Sequence, residues 1–236
     1  MKHIVMCSGG KDSVAMLVRM LELNMPVTDI VFCNTTLEYP EMYKYVRELE
    51  KKINRKITWV NPKKTFNHWF YGKFTKGKQE GIIRGMPYVV GHSWCCREFK
   101  INPTAKDFKP SGQNLLYLGM AKGEEHRIQE GKTQIKYPLI EWGWTEEKCL
   151  RYTKEKGVYN KLYNDFKRLG CWLCPKQSKE SLRILYENYP KMWKLLRKYE
   201  NDSPHGFHPD YKLKDLEHKW KYQTKLISKV TRGDLR

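Results

Sequence analysis

The sequence predicts an α/β fold, a doubly wound and mainly parallel sheet with a helical C-terminal part. Three observations carry this. Short apolar runs of strand length alternate with stretches of helical periodicity through the first 150 residues. The first such run passes into the first periodic stretch through two adjacent glycines, Gly9 and Gly10. The last third shows helical periodicity alone. Strands that alternate with helices build a parallel sheet, whose ligands bind outside the carboxyl ends of the strands.

His3–Cys7 reads as the first, buried strand, and Val14, Met16, Leu17, Val18 and Leu21 recur at helical spacing after it. Between them stands Ser8-Gly9-Gly10-Lys11-Asp12-Ser13. Paired glycines let a backbone turn tightly and bring its N–H groups to a ligand, and the positive end of a helix behind them suits phosphate. The G-x-x-x-x-G-K-[ST] spacing of a Walker loop is absent. The plainer reading is a turn with Asp12 or Ser13 as N-cap. Residues 27–33 form a second strand, ending at Asn34-Thr35-Thr36-Leu37-Glu38, and a helix starts at Pro40 with Met42, Tyr43, Val46, Leu49 and Ile53 on one face. Residues 56–60 form a third strand. Residues 63–91 mix Phe66, Trp69, Phe70, Tyr71 and Phe74 with lysines and glycines, as a base-stacking platform or, more commonly, a mobile lid would. Residues 115–118 form a fourth strand leading into Gly119–Arg127, and a helix follows Thr145 with Glu146 and Glu147 at its positive end. Two further helices are expected over 178–187 and 190–199. Leu182, Leu185 and Tyr186 line the first, and Met192, Leu195, Leu196 and Tyr199 the second. A basic helical run closes the chain. The expected division is a nucleotide-binding α/β domain over 1–175 and a basic helical extension over 176–236.

Composition bounds the partners. With 45 Lys/Arg against 26 Asp/Glu the chain carries a formal +19, and from residue 176 onward 15 cations face 8 anions, so the excess is spread along the chain. Such a surface attracts polyanions, nucleic acid foremost, although an enzyme with small anionic substrates can share it. No apolar run reaches membrane-spanning length and no signal-peptide pattern opens the sequence, so a soluble cytoplasmic protein is expected.

Seven cysteines, an odd number, argue for metal or redox chemistry over disulfides. Cys95-Cys96 and Cys171-x-x-Cys174 supply four thiols, the donor set of zinc or an iron–sulfur cluster. Adjacent side chains diverge, which favours the separated irons of a [4Fe–4S] cubane over a single zinc ion. A redox pair at Cys171 and Cys174 is the alternative. Cys7, Cys33 and Cys149 fall in apolar patterns and read as packing residues.

The Ser8–Ser13 segment matches the S-G-G-x-D-S loop of the ATP pyrophosphatases, so the chain resembles that superfamily, whose fold is adenine nucleotide alpha hydrolase-like. Two adjacent cysteines, 74 intervening residues and C-x-x-C resemble the cluster motif of its phosphoadenylylsulfate-reductase-like branch, including the ATP pyrophosphatase of DNA phosphorothioation. Asn34–Glu41 resembles that branch's D-T-G-x-E-x-P-E segment, with Asn34 and Thr36 replacing the usual acid and glycine. The resemblance implies Mg²⁺-ATP on Ser8, Gly9, Gly10, Lys11, Asp12 and Ser13, with Lys11 and Asp12 catalytic. It implies nucleotide contacts from Asn34, Thr35, Lys122 and Arg127, and a [4Fe–4S] cluster on Cys95, Cys96, Cys171 and Cys174. The branch's reductases also carry a nucleophilic tail cysteine in E-C-G-x-H, whereas no cysteine follows Cys174 here. The expected activity is therefore adenylylation of a DNA backbone or a tRNA for sulfur transfer. A cysteine desulfurase or other persulfide donor would be the partner, and a homodimer is allowed. A sulfonucleotide reductase borrowing a partner's cysteine, and a nucleic-acid-binding module with a structural cluster, are the alternatives.

Overall fold

A computed structural model describes residues 1–90, 93–128 and 131–231; residue 91 of the expected lid and residues 232–236 of the expected extension lie outside these. The chain divides into two compact units, Met1–Lys63 with Cys96–Cys171 and Lys64–Cys95 with Trp172–Arg236. The second boundary falls four residues before the one expected. Residues 64–95, expected in the first domain, instead belong with the C-terminal helices.

The first unit is the expected α/β fold. Strands β1 (Lys2–Met6), β2 (Asp29–Cys33), β3 (Thr58–Val60), β4 (Asn114–Leu118) and β5 (Ile135–Lys136) form one sheet in the order β3-β2-β1-β4-β5, every pairing parallel. Strand order reverses at β1, which pairs with β2 on one side and β4 on the other. Their carboxyl ends therefore form the crevice where such sheets bind ligands. Ile4, Val31, Leu116 and Phe108 make one core layer. Helix α1 (Lys11–Glu22) buries Val14, Met16, Leu17 and Met20, each worth about 1.5–3 kcal/mol when fully removed from water. Helix α2 (Pro40–Ile53) buries Met42, Val46 and Leu49, with Pro40 at its first turn as expected.

Gly10 occupies the N-cap position of α1 and no side chain caps it, so Asp12 and Ser13 lie inside the first turn instead of capping it. Two-residue β5 was not expected, being too short to show a period. After the short helix α6 (Pro138–Glu141), helix α7 (Glu146–Glu155) starts as read, with Thr145 accepting from the Lys148 N–H at 3.3 Å. The Cys95–Cys96 pair sits in the short helix α4 (Trp94–Cys96), which runs through a π-helical turn at Arg97–Ile101 into α5 (Asn102–Thr104). Such bulges mark functional positions more often than ordinary helix.

The second unit packs α3 (Phe66–Phe70) with α8 (Lys179–Asn188), α9 (Pro190–Asp202) and α10 (Leu213–Thr231). Phe66 and Phe70 are buried, their rings 5.0 and 4.9 Å from that of Tyr199. These aromatics expected of a lid or platform thus make a second core. Trp193 and Trp220 join it, with ring centroids 5.6 Å apart. The buried face of α9 holds Trp193, Leu196 and Tyr199, whereas Leu195, expected inside, is 39% exposed. Among the described residues no helix is long and apolar enough to cross a membrane.

Candidate functional site

The Ser8–Ser13 loop leaves β1 at the carboxyl edge of the sheet and enters α1 directly. Gly9 has φ +77°, which calls for glycine, and a Cβ there would lie 2.5 Å from Met42 Sδ, so the methionine side chain would have to shift. A hydroxyl network shapes the turn. Ser13 Oγ accepts from the Ser8 N–H at 3.1 Å and donates to Gly10 O at 3.0 Å, and the two serine hydroxyls are 3.1 Å apart. The Gly10 N–H reaches Ser8 Oγ at 3.4 Å.

Three residues that sequence reasoning missed brace this loop from far along the chain. Asn160 Nδ2 donates to Gly9 O at 3.1 Å, and the Tyr163 hydroxyl accepts from the Lys11 N–H at 2.9 Å. Glu146, read only as a helix-dipole residue, pairs with Lys11 Nζ at 2.6 Å, while Asp12 Oδ2 holds the same ammonium at 3.2 Å. No local signal marks Asn160 or Tyr163. Gly119, at the end of β4, makes the closest approach: a Cβ there would lie 2.5 Å from Ser13 Cα.

The charges are strained by burial. Desolvation raises the Asp12 pKa above its ordinary 3.8 even though Lys11 opposes this, and Glu146 and Glu124 add to the rise. Burial works against the Lys11 charge, but the Glu146 hydrogen bond and Asp12 hold its pKa above the usual lysine value. Asp12 Oδ1 is buried without a hydrogen-bond partner. An acidic oxygen so placed suits a divalent cation, since Mg²⁺ is held by one or two carboxylates plus substrate phosphates.

The β2 end supplies the facing wall. Thr36 takes φ +63°, unusual for a β-branched residue, and its N–H donates to Asn34 Oδ1 at 2.9 Å. Asn34 also donates to Asn61 Oδ1 at 2.8 Å. Thr35 is buried, donates to Glu38 Oε1 at 2.8 Å and lies 3.5 Å from Cys171 Sγ. A cavity of about 660 Å³ opens here, lined by Ser8, Cys33, Glu38, Lys100 and Cys171 over an apolar floor that includes Val31 and Leu116. Cys7 and Cys149 are buried as expected; Cys33, last in β2, instead borders this cavity. Lys122 and Arg127 are both exposed on the loop after β4, and Arg127 is paired with Glu124.

Cys95, Cys171 and Cys174 are half-buried and Cys96 is exposed. Cys96 and Cys171 belong to the first unit, Cys95 and Cys174 to the second. Desolvation disfavours the charge of Lys100, but Cys171, Glu38 and Cys96 together hold its pKa above the ordinary value. Among the described residues no three His, Cys, Asp or Glu side chains converge as a metal site. By residue type four thiols suit iron–sulfur ligation, and the Cys171 thiol donates to Glu38 Oε1 at 3.7 Å.

Comparison with known proteins follows the same lines. A family model described as the phosphoadenosine phosphosulfate reductase domain matches residues 2–177. Two relatives are uncharacterized proteins of Methanocaldococcus jannaschii. The chain is 29% identical to MJ0066 over 211 residues, 84% of this chain and 40% of the relative. It is 25% identical to MJ0973 over 237 residues, 93% of this chain and 54% of the relative. The chain therefore spans about half the length of these relatives or less. Among solved structures it is similar in fold to phosphoadenylyl-sulfate reductase from Candida auris, determined as a phosphate complex. The TM-score is 0.52 at 20% identity, covering 73% of this chain and 82% of that one.

Proposed function

Because the chain belongs to the phosphoadenosine phosphosulfate reductase domain family, we propose that it binds Mg²⁺-ATP on the Ser8–Ser13 loop and adenylylates a nucleic acid for sulfur transfer. The observation that carries the choice of ATP is the buried, unpartnered Asp12 Oδ1 beside Lys11, with Glu124 and Glu146 close enough to raise the carboxyl pKa. This acidic corner favours a cation-bound triphosphate over a metal-free anion. The formal +19 favours a nucleic-acid acceptor.

In this reading the pyrophosphate of ATP takes the loop N–H groups of Gly10 and Lys11, which hydroxyl oxygens satisfy in the structure. Asp12 holds the magnesium ion and Lys11 the charge that develops on the leaving phosphates. An oxygen of the nucleic acid attacks the α-phosphorus, and the bond to pyrophosphate breaks. The terminal sulfur of a persulfide donor then displaces AMP, and a second thiol takes the donor's remaining sulfur as a disulfide, releasing the thiolated product. The protein contributes positioning and charge stabilisation. Cys95, Cys96, Cys171 and Cys174 would hold a [4Fe–4S] cluster, which supplies one-electron redox chemistry when bound. Asn34 and Thr35 border the nucleotide in this reading, and Lys122 and Arg127 extend toward its phosphates.

The test incubates anaerobically purified protein with labelled ATP. DNA or tRNA should stimulate pyrophosphate release, and Asp12→Asn should lower the rate by about 10²-fold or more. The family match favours one second reading, a sulfonucleotide reductase drawing its nucleophilic cysteine from a partner. Thioredoxin-dependent sulfite release from an adenylylated sulfate, with no ATP turnover, would establish that reading and sink the first.

A further inference from the structure

Read along the chain the positive charge is spread, but folding gathers it. Residues 64–95 and 172–236, which make the second unit, hold 20 Lys/Arg against 9 Asp/Glu, a net +11 on 97 residues. The first unit carries +8 on 139 residues. Within the second unit, Lys191, Lys194 and Lys198 recur at i, i+3 and i+7 on the exposed side of α9, where they line a depression of about 570 Å³ with Leu195. At one end of this row the Lys198 ammonium is paired with Asp202, which also borders the depression, so Lys191 and Lys194 carry the unpaired charge of the row. The Lys198 ammonium also donates to the Tyr71 hydroxyl at 2.8 Å and lies 5.3 Å from the centre of its ring.

Tyr71 leads straight into a basic hairpin. The Phe74 N–H donates to Ile82 O at 2.9 Å and the Gly81 N–H to Phe74 O at 3.0 Å. Between residues 72 and 85 stand Lys73, Lys76, Lys78 and Arg84 against one acid, Glu80. The Arg84 guanidinium stacks 5.0 Å from the Trp69 ring centre and 5.9 Å from that of Phe74. Through Tyr71 the lysine row of α9 and the hairpin form one cationic surface edged with aromatic rings.

We propose that this surface of the second unit binds nucleic acid through its phosphate backbone, an inference that rests on nucleic acid being the substrate. Lysines tracking a helix, with rings and a stacked guanidinium beside them, suit a chain of phosphates and bases. A lipid surface would need the apolar side of α9 to be free, yet Trp193, Leu196 and Tyr199 are buried in the unit's own core.

The test measures fluorescence anisotropy of a labelled 20-base-pair DNA duplex and of labelled tRNA against the full chain at several salt concentrations. The triple variant Lys73→Gln, Lys191→Gln, Lys194→Gln should bind at least about tenfold more weakly at low salt. Its salt slope should be shallower by about 2 to 3, close to one per lysine removed. A control triple in the first unit, Lys44→Gln, Lys51→Gln, Lys56→Gln, removes equal charge and should change the slope by less than one. Equal losses in the two triples, or no binding of either probe by the unaltered chain, would overturn the proposal. Single variants at Lys191 and Lys194, each expected to lower the slope by about one, decide the matter if the triple unfolds. The two readings fail separately. Nucleic-acid-stimulated pyrophosphate release that survives in the second-unit triple sinks this surface alone. Binding that depends on the surface without any pyrophosphate release sinks the adenylylation alone.

Discussion

A methyl group added at Gly119 would meet Ser13 Cα at 2.5 Å and Ser13 N at 2.7 Å, both backbone atoms with no room to yield. Gly119→Ala should therefore push β4 away from the start of α1, costing about 1–3 kcal/mol in urea unfolding and weakening ATP binding with it. Unchanged values for both would show that the spacing adjusts freely. Thr36 presents the opposite case, a side chain where the resemblance expects glycine. At φ +63° it is strained by roughly 1–3 kcal/mol, and glycine recovers that strain less its own entropic cost. Thr36→Gly should raise stability by about 0.5–1 kcal/mol; a loss would mean the threonine methyl packs usefully. Asp12 connects stability with pH. Because burial lifts its folded pKa above 3.8, its ionisation weakens the fold as pH rises through that raised value, and the cost is absent below the ordinary carboxylate range. Asp12→Asn should match the unaltered chain near pH 3 in urea midpoint and exceed it at pH 7. Equal midpoints at pH 7 would contradict this.

Among the helices, Glu22 at the end of α1 ties that helix to α7. It accepts from the Tyr152 hydroxyl at 2.5 Å and pairs with Lys156. Lys156 and Tyr152 together lower its pKa from 4.5 to about 2. The stabilisation is present above the ordinary value and is lost as pH falls from 4.5 toward 2. Glu22→Gln should cost no more than about 1 kcal/mol at neutral pH, since the pair is partly solvated, and the cost should shrink as pH falls from 4.5 toward 2 and vanish only below that. A difference that stayed undiminished at pH 2 would assign the effect to packing. Elements as long as α1, α2 and α7 were legible because a buried face repeats every three to four residues. On α9 Leu196 and Tyr199 are buried as expected, whereas Leu195 reads as inside because it stands four residues before Tyr199, a helical spacing that the exposed edge of the stripe shares. Neither two-residue β5 nor the π turn at Arg97–Ile101 leaves a periodic trace.

For the molecule as a whole, the cysteine reading gives a colour test. Cys95→Ala and Cys171→Ala should each lose iron and the brown absorbance of the anaerobic protein; retained iron in both variants would refute these ligands. The glycine loop was legible as a compact motif. The second core was not, because Phe66 and Phe70 find Tyr199 some 130 residues away. The braces on the loop are just as remote. Asn160 and Tyr163 reach back about 150 residues to Gly9 and Lys11, which gives the Ser8–Ser13 loop an order of assembly. On a ribosome adding roughly 5–20 residues per second, the loop waits about 8–30 s for the side chains that secure it. During that interval the nascent chain carries its signature turn unsecured, and on the proposed function nucleotide capture would be a late event of biosynthesis.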